Sequence, residues 1–461
     1  MLVLSTSRWR ALIAVSTLAA ASTAVVAEVG ALDAFNVDLA QTSVSGISSG
    51  GYMANQFHVA YSSIVVGAGI VAAGPFYCAK GNVATALTDC TTPSVANPPD
   101  AGYSVRVTQD YASRAEIDAT SHLVDSKVWL FSGSLDMTVY PVVVDRLHDY
   151  YRHFVKPENI VYDKSVAAAH SMVSANYGHP CAYQGDGNRP DDIFINDCDY
   201  DAAGKLLVHI LGPLKAPATT LSGSIVAFDQ AEFIADPAGH SMNPSGYAYI
   251  PADCDGGAAC RVHVAFHGCR QQPARIGDRF YVHAGYNRWA DTNRIVVLYP
   301  QTIHSDLPPV YNPRGCWDWW GYDDPDYAKQ RGRQMRAVKL MLDRVASGYS
   351  GATPRPAYNL TTSSTSEHSV ALQWAKSHGP RLAAYNVYYS TQAEGPFARA
   401  GTTEETRATV TGLVSGTTYY FFVRAVSRRN VESADSNVAS AATPGLPPLP
   451  GTLTPVIALL P

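Results

Sequence analysis

The N-terminal two thirds of the chain alternates short apolar runs with stretches of helical periodicity. The apolar runs predict buried strands at 35–44, 63–73, 127–131, 159–162, 261–266 and 294–299. Apolar spacings of three and four predict helices at 51–60, 144–154 and 280–292. This alternation predicts an α/β fold with a mostly parallel sheet and helices on both faces. Functional side chains on such a sheet collect at the carboxyl ends of the strands.

The pattern changes after a Gly/Pro/Ser-rich linker at 346–356. Residues 357–443 show short alternating strands, many Thr and Ser and no cysteine, and a Pro-rich tail follows at 444–461. The spacing of Trp374, the strand 385–389 and Tyr419 resembles a fibronectin type III domain, an all-β sandwich. The resemblance implies that the Tyr419 hydroxyl bonds back to the backbone. We expect a spacer or a weak adhesion surface without chemistry.

The N-terminus is typical of an export signal. Arg8 and Arg10 precede an apolar, acid-free stretch that ends in small residues at Ala27. We expect a signal peptide at 1–27, and thus a secreted protein. The alternative, a stable membrane anchor, is disfavoured because the Ala/Ser/Thr-rich stretch is short and weakly apolar.

Eight cysteines follow this segment. An even number in an exported chain favours four disulfides over free buried thiols. Pairing of sequence neighbours predicts Cys78–Cys90, Cys181–Cys198, Cys254–Cys260 and Cys269–Cys316. No Cys-x-x-Cys pair occurs, which argues against a zinc site or a thioredoxin-type redox site. We expect no metal and no cofactor.

The composition is that of a globular protein, with 46% hydrophobic and 16% charged residues. The net charge of −5 and the absence of a basic run exclude nucleic acid as an expected partner. We expect a monomer.

Gly46-Ile-Ser48-Ser-Gly50 matches the G-x-S-x-G pattern between a predicted strand and a predicted helix. In that context the serine sits on a strained turn, and larger side chains at the two glycines would clash. We predict that Ser48 is a nucleophile. The alternative is a Gly/Ser-rich surface loop.

A nucleophilic serine needs a base and an acid that orients the base. Asp136 follows the strand 127–131, and His170 follows the strand at 159–162, which gives the order Ser, Asp, His. We predict these roles for both residues, although Asp136 alone is also consistent with a turn. His179 is the rival base, but it lies against Pro180 and the predicted disulfide of Cys181. His240 lies far from the expected strand end.

The backbone N–H groups of Ser49 and Cys269 are the predicted oxyanion donors. The second donor normally precedes the nucleophile, yet here the matching His267-Gly268-Cys269 segment comes after it. The sequence therefore predicts a circularly permuted α/β-hydrolase in residues 28–345, with its back half first.

Several longer motifs resemble extracellular poly(3-hydroxybutyrate) depolymerases that carry the lipase box near the N-terminus. They are the Ser48 segment and the stretches 195–200, 264–271 and 312–321. The resemblance implies a Ser48–Asp136–His170 triad, oxyanion amides at Ser49 and Cys269, and a polyester or its oligomers as substrate. One departure is that too few residues follow 443 for the usual polymer-binding domain.

An apolar polyester requires an aromatic and aliphatic cleft. We expect one or more of Trp317, Trp319 and Trp320 to line it, with core packing as the alternative. Two other functions stay open: another carboxylesterase, such as a feruloyl or acetyl-xylan esterase, and a non-catalytic adhesion protein.

Overall fold

The structure is a computed structural model that describes residues 29–94, 96–308, 310–347, 354, 356–377, 382–427 and 431–445. The predicted signal peptide, most of the predicted linker and the tail beyond 445 lie outside these residues.

The first part of the described chain alternates strands and helices. Its strands are β1 (Val37–Ile47), β2 (Val65–Val71), β3 (Lys127–Phe131), β4 (Ile160–Asp163), β5 (Met172–Ser174), β6 (His179–Pro180), β7 (Ile195–Asp197), β8 (Ser224–Asp229), β9 (Ser245–Ile250), β10 (Cys260–Phe266) and β11 (Ile295–Tyr299). Its α-helices are α1 (Ser49–Ala60), α2 (Val83–Leu87), α3 (Ala101–Ser113), α4 (Pro141–Tyr151), α5 (Ala202–Leu211), α6 (Ala252–Asp255), α7 (Pro273–Ile276), α8 (Arg279–His283), α9 (Tyr286–Asn293) and α10 (Arg333–Ala346). Across the described ranges, none of the helices has the length and apolar character needed to span a bilayer.

Eight of these strands form one sheet in the order β4-β3-β2-β1-β10-β11-β9-β8. The six from β4 to β11 run parallel, whereas β9 is antiparallel to both β11 and β8. The first four strands of the chain build one half of the sheet, and β8 to β11 build the other. The two halves meet where β1 pairs with β10. This topology confirms the permuted, mostly parallel α/β fold.

Alternate residues of the central strands pack into two hydrophobic cores, one on each face of the sheet. Val128 and Leu130 of β3 join the core formed with α1, α3, α4 and α10. Trp129 and Phe131 of the same strand join the core formed with α5, α8 and α9. Burial on both faces explains why these strands appear in the sequence as continuous apolar runs.

Each predicted strand and helix coincides with an observed element to within three residues at its ends, except for one helix. The helix predicted at 280–292 is interrupted, because Gly285 adopts φ 97° between α8 and α9. The strand predicted at 63–73 begins only at Val65, after a turn. The elements that were not predicted include the helices α3, α5 and α10 and the neighbouring strands β8 and β9, whose partly exposed positions lack a continuous apolar run.

The C-terminal part is a two-sheet β-sandwich. Its strands are β12 (Tyr358–Ser366), β13 (Ser369–Ala375), β14 (Leu382–Ser390), β15 (Ala398–Thr403), β16 (Arg407–Thr411), β17 (Thr418–Ser427) and β18 (Ala439–Ala442). One sheet has the order β12-β13-β16 and the other β15-β14-β17-β18. Trp374 is buried against Tyr385 in the core. The Tyr419 hydroxyl accepts a hydrogen bond from the Val414 N–H at 2.9 Å, as the resemblance implied.

Candidate active site

Ser48 occupies a sharp turn between the central strand β1 and helix α1. Its backbone has φ 56° and ψ −124°, a left-handed conformation that is costly for a residue with a Cβ. The Ser48 N–H donates to the Val71 carbonyl at 3.0 Å, which anchors the turn to β2. This strained turn between strand and helix is the arrangement that presents a nucleophilic serine above a sheet.

The glycines on either side of Ser48 are required by close backbone approach. A Cβ at Gly46 would lie 2.2 Å from the Gly50 carbonyl oxygen. A Cβ at Gly50 would lie 2.3 Å from the carbonyl oxygens of Phe266 and His267. Any side chain at either position would therefore displace backbone, which is the physical basis of the sequence pattern.

Asp136 and His170 are brought together from the loops after β3 and β4. The His170 Nδ1 lies 2.8 Å from Asp136 Oδ2, and both side chains are buried. The other carboxylate oxygen, Oδ1, accepts the backbone N–H groups of Thr138 and Val139, each at 2.8 Å. With the carboxylate fixed in this way, the imidazole is held in one orientation, as a general base requires.

Ser48 and His170 line the same cleft, which has a volume of about 640 Å³. Since β1, β3 and β4 run parallel, the loops that follow them open at the same edge of the sheet. The structure thus brings all three predicted triad residues to one end of the sheet.

The segment Gly268-Cys269 forms another wall of this cleft. A Cβ at Gly268 would lie 3.3 Å from the Ser48 Cβ, so this segment is adjacent to the nucleophile. The Gly268 N–H donates to Gln271 Oε1 at 2.7 Å, and the Arg270 N–H donates to the Arg314 carbonyl at 2.7 Å. Between them, the Cys269 N–H has no acceptor among the described residues. It is therefore available to a ligand in the cleft.

Ser49 is the first residue of α1, and the hydrogen bonds of that helix begin with the Tyr52 N–H donating to the Ser48 carbonyl. The first N–H groups of a helix have no intrahelical acceptor. The backbone N–H groups of Ser49 and Cys269 lie on the two segments that flank the nucleophile. This pair can stabilise negative charge that develops on a carbonyl oxygen attacked by Ser48.

All four disulfides join the neighbours predicted from the sequence: Cys78–Cys90, Cys181–Cys198, Cys254–Cys260 and Cys269–Cys316. The last has a Cα–Cα distance of 4.1 Å and ties the Cys269 segment to the Trp-rich loop 316–322. That loop is therefore covalently attached beside the nucleophile.

The three candidate tryptophans occupy different environments. Trp319 and Trp320 line the cleft together with Tyr52 and Tyr322. Trp317 does not line it, because its side chain is fully buried against Phe266 and His267. For Trp317 the expectation of a cleft position is corrected: its ring belongs to the core beneath the Cys269 segment.

The two rival histidines make other contacts. His179 Nε2 donates to the Asp191 carbonyl oxygen at 2.7 Å, and its ring stacks on Tyr183. His240 Nδ1 lies 2.8 Å from Asp323 Oδ1. Neither histidine lines the cleft that holds Ser48. In the described ranges, no cluster of three His, Cys, Asp or Glu side chains could hold a metal ion.

Sequence reasoning missed Gln271, which supports the Cys269 segment. Its Oε1 accepts from Gly268, and its Nε2 donates to the carbonyls of Ile193 and Phe194, each at 3.0 Å. Sequence reasoning also missed Arg270 and Arg314, which line the cleft. The motifs around Cys269 and Cys316 contained all three residues, but their orientation depends on contacts between distant loops.

One family model and two individual proteins are similar to this chain. The family model of the fibronectin type III domain matches residues 352–441. A poly(3-hydroxybutyrate) depolymerase of Delftia acidovorans is 42% identical over 420 residues, which are 89% of this chain and 80% of that protein. A polyhydroxybutyrate depolymerase of Talaromyces funiculosus is 37% identical over 335 residues, 70% of this chain and 94% of that protein.

Two solved structures resemble about two thirds of the chain. The PHB depolymerase from Penicillium funiculosum is 35% identical with a TM-score of 0.63, and a PHB depolymerase complexed with an R3HB trimer is 34% identical with the same TM-score. Each match covers 69% of this chain and 99% of the other.

Proposed function

Because this chain belongs to the family of poly(3-hydroxybutyrate) depolymerases, we propose that it is a serine esterase of polyesters. Its substrates are poly(3-hydroxybutyrate) or related short-chain polyhydroxyalkanoates, and its products are oligomers and monomers. The observation that carries the proposal is the buried 2.8 Å contact between Asp136 and His170 at a cleft that also contains the strained Ser48.

In the proposed mechanism, His170 takes the proton of the Ser48 hydroxyl as its oxygen attacks the ester carbonyl. Asp136 holds the imidazole and stabilises the imidazolium that forms. The N–H groups of Ser49 and Cys269 bind the oxyanion. The alcohol end of the substrate leaves with the proton from His170, and an acyl-enzyme remains on Ser48. A water molecule activated by His170 then releases the acid and restores the serine.

The cleft supports a polyester more than a sugar ester. Aliphatic and aromatic side chains make up much of its wall, including Ile47, Val83, Leu87, Val139, Phe194, Trp319 and Trp320. Such a surface matches the methyl and methylene groups of polyhydroxybutyrate. A feruloyl or acetyl-xylan esterase would need a denser set of polar groups for the sugar hydroxyls. A non-catalytic adhesion protein would not require the strained serine.

We propose that the protein acts outside the cell as a monomer. The pairing of all eight cysteines in disulfides supports an oxidising compartment. Size-exclusion chromatography with light scattering tests the monomer, and assay of culture medium against cell lysate tests the location.

The decisive experiment compares the native protein with Ser48→Ala on amorphous and crystalline polyhydroxybutyrate, with soluble products analysed by mass spectrometry. We expect hydroxybutyrate oligomers from the native protein and a loss of at least ~10³-fold in Ser48→Ala. Ser63→Ala, at an exposed serine away from the cleft, is the matched control. Hydrolysis retained by Ser48→Ala would refute the catalytic assignment, and release of ferulate without hydroxybutyrate would refute the substrate.

A further inference from the structure

One part of the otherwise largely apolar cleft carries positive charge. Arg270 and Arg314 both line it. Their backbones are joined by the 2.7 Å hydrogen bond from the Arg270 N–H to the Arg314 carbonyl. Arg270 directly follows Cys269, and Arg314 lies two residues before Cys316, so the disulfide fixes both arginines beside the predicted oxyanion donor.

Among the described residues, no carboxylate forms a direct ion pair with either guanidinium group. Arg270 donates to a backbone carbonyl, that of Asp186, at 2.6 Å. Arg314 is exposed and makes neither a hydrogen bond from its side chain nor an ion pair with any described residue. Burial lowers the pKa of Arg270, and the nearby charges of Arg314 and Arg275 lower it further. The positive charges thus repel one another.

The neighbouring carboxylates are engaged elsewhere. Asp192 accepts the Tyr183 hydroxyl at 2.7 Å and the Gly187 N–H at 2.8 Å. Asp186, which also lines the cleft, accepts from the backbone N–H and the side-chain amide of Asn188. Both raise the pKa of Arg270 through space, but neither forms a salt bridge with Arg270 or Arg314 in the described chain. The cleft therefore contains a cationic corner that can accept an anion.

An internal unit of polyhydroxybutyrate has no charge, so it gives no reason for arginines in the cleft. The polyester molecule has one permanent anion at neutral pH, which is the carboxylate at its acid end. Guanidinium groups bind carboxylates with directed, charge-assisted hydrogen bonds. We propose that Arg270 and Arg314 form a subsite for the terminal carboxylate of the polyester, so that the enzyme favours ester bonds close to the acid end.

This proposal rests on the proposed function, and its chemistry is the same hydrolysis. The bond between the acyl carbon and the alkoxy oxygen breaks, and the acyl part stays on Ser48. The part that carries the acid end leaves as an alcohol and takes its proton from His170. The arginine pair therefore binds the leaving part of the substrate, and short acid-terminated units are the expected first products from soluble oligomers.

The test uses the full chain and a pair of hydroxybutyrate trimers that differ only at the acid end. One trimer has a free carboxylate, and the other is capped as the neutral methylamide. The readout is the ratio of kcat/KM for the free trimer to kcat/KM for the capped trimer. Because both kcat/KM values are measured on the same protein, a change that affects both trimers equally cancels in this ratio. We expect a ratio of about five or more for the native protein, since partly exposed charge pairs contribute modestly.

Arg314→Gln should bring the ratio close to one, and Arg314→Lys should retain part of the preference because it keeps the charge. Arg152→Gln is the control, since Arg152 is exposed and does not line the cleft. It should leave the ratio as in the native protein. Arg270 is a less informative site, because its φ of 64° and its bond to Asp186 also shape the Cys269 segment.

A ratio near one in the native protein, or an unchanged ratio in Arg314→Gln, would overturn the subsite. Both results are separate from a failure of the proposed function, because the capped trimer would still be hydrolysed by a Ser48-dependent enzyme. If neither trimer is hydrolysed, or if Ser48→Ala cleaves both, the proposed function fails and the subsite fails with it.

Discussion

The Tyr52 ring stacks face to face on the Trp319 ring, with centroids 4.0 Å apart and planes inclined by 9°. Tyr52 lies in the first turn and a half of α1, four residues after Ser48, whereas Trp319 belongs to the loop that Cys316 attaches to Cys269. Both rings line the cleft. The stack therefore connects the nucleophile's helix directly to the aromatic wall that faces the substrate.

Trp320→Ala should weaken turnover of amorphous polyhydroxybutyrate without unfolding the protein. Trp320 lines the cleft and is only partly buried, so its removal takes apolar contact from the substrate more than from the core. We expect kcat/KM to fall about tenfold, as for the loss of a buried aromatic contact of about 1.4 kcal/mol. Initial rates of product release and the melting temperature measure the two effects.

Trp317→Ala is the matched contrast on the same loop. Its fully buried ring leaves a cavity when removed, and we expect a loss of about 3–5 kcal/mol in the free energy of unfolding. Denaturant unfolding measures this loss. Equal stability losses in the two variants would contradict the different environments that the structure gives to these tryptophans.

Asp136→Asn should lower kcat by about 10³–10⁴-fold while the fold is kept. The asparagine oxygen can still accept the N–H groups of Thr138 and Val139, but its amide favours the wrong tautomer of His170. Kinetics on a soluble hydroxybutyrate trimer and circular dichroism measure both properties. Asp125→Asn, at an exposed carboxylate paired with Lys156, is the control. A variant at position 136 with more than a tenth of native kcat would show that this carboxylate does not orient the base.

Removing the Cys269–Cys316 disulfide should reduce both stability and activity. Replacing both cysteines with alanine frees the segment that carries the predicted oxyanion donor, and each disulfide stabilises a protein by roughly 2–4 kcal/mol. We expect kcat to fall at least about tenfold in folded protein. The Cys254–Cys260 pair, outside the cleft, is the control, and its removal should lower only stability. The same kcat in both double variants would mean that the disulfide does not position the donor.

His58 should make the protein less stable as the pH falls below about 6.5. Burial lowers the pKa of His58 to about 3, so the folded protein keeps it neutral while the unfolded chain takes up a proton. The free energy of unfolding then falls by up to about 1.4 kcal/mol per pH unit for this group, and the loss continues until the pH reaches the folded pKa. Urea unfolding between pH 6.5 and 5 measures the slope.

His58→Gln should remove this part of the slope, even though the substitution also lowers stability at every pH. His153→Gln, at an exposed histidine on the same domain, is the comparison and should keep the native slope. If His58→Gln keeps the native dependence of the free energy of unfolding on pH, groups other than His58 cause the loss of stability in acid.

Much of the architecture was predictable from the sequence because its signals are local. Strand β3 was predicted at its observed bounds, since burial on both faces demands a continuous apolar run. The disulfide pairs followed from proximity along the chain, because short loops close at low entropic cost. The edge strand β8 and its neighbour β9 escaped prediction, since a strand with partly exposed positions carries a weaker apolar pattern.

The sequence by itself determined the position of the turn at Ser48, because the serine and its two glycines form one contiguous pattern. The crowding that excludes a side chain at Gly50 comes from the distant carbonyls of Phe266 and His267, and therefore from the fold. It also determined the order of the acid, the base and the oxyanion segment. Only the tertiary structure decided which tryptophan belongs to the core and which ones face the cleft. It alone placed Arg270 beside Arg314, because that neighbourhood depends on the pairing of β1 with β10 and on the packing of loops that are distant in the chain.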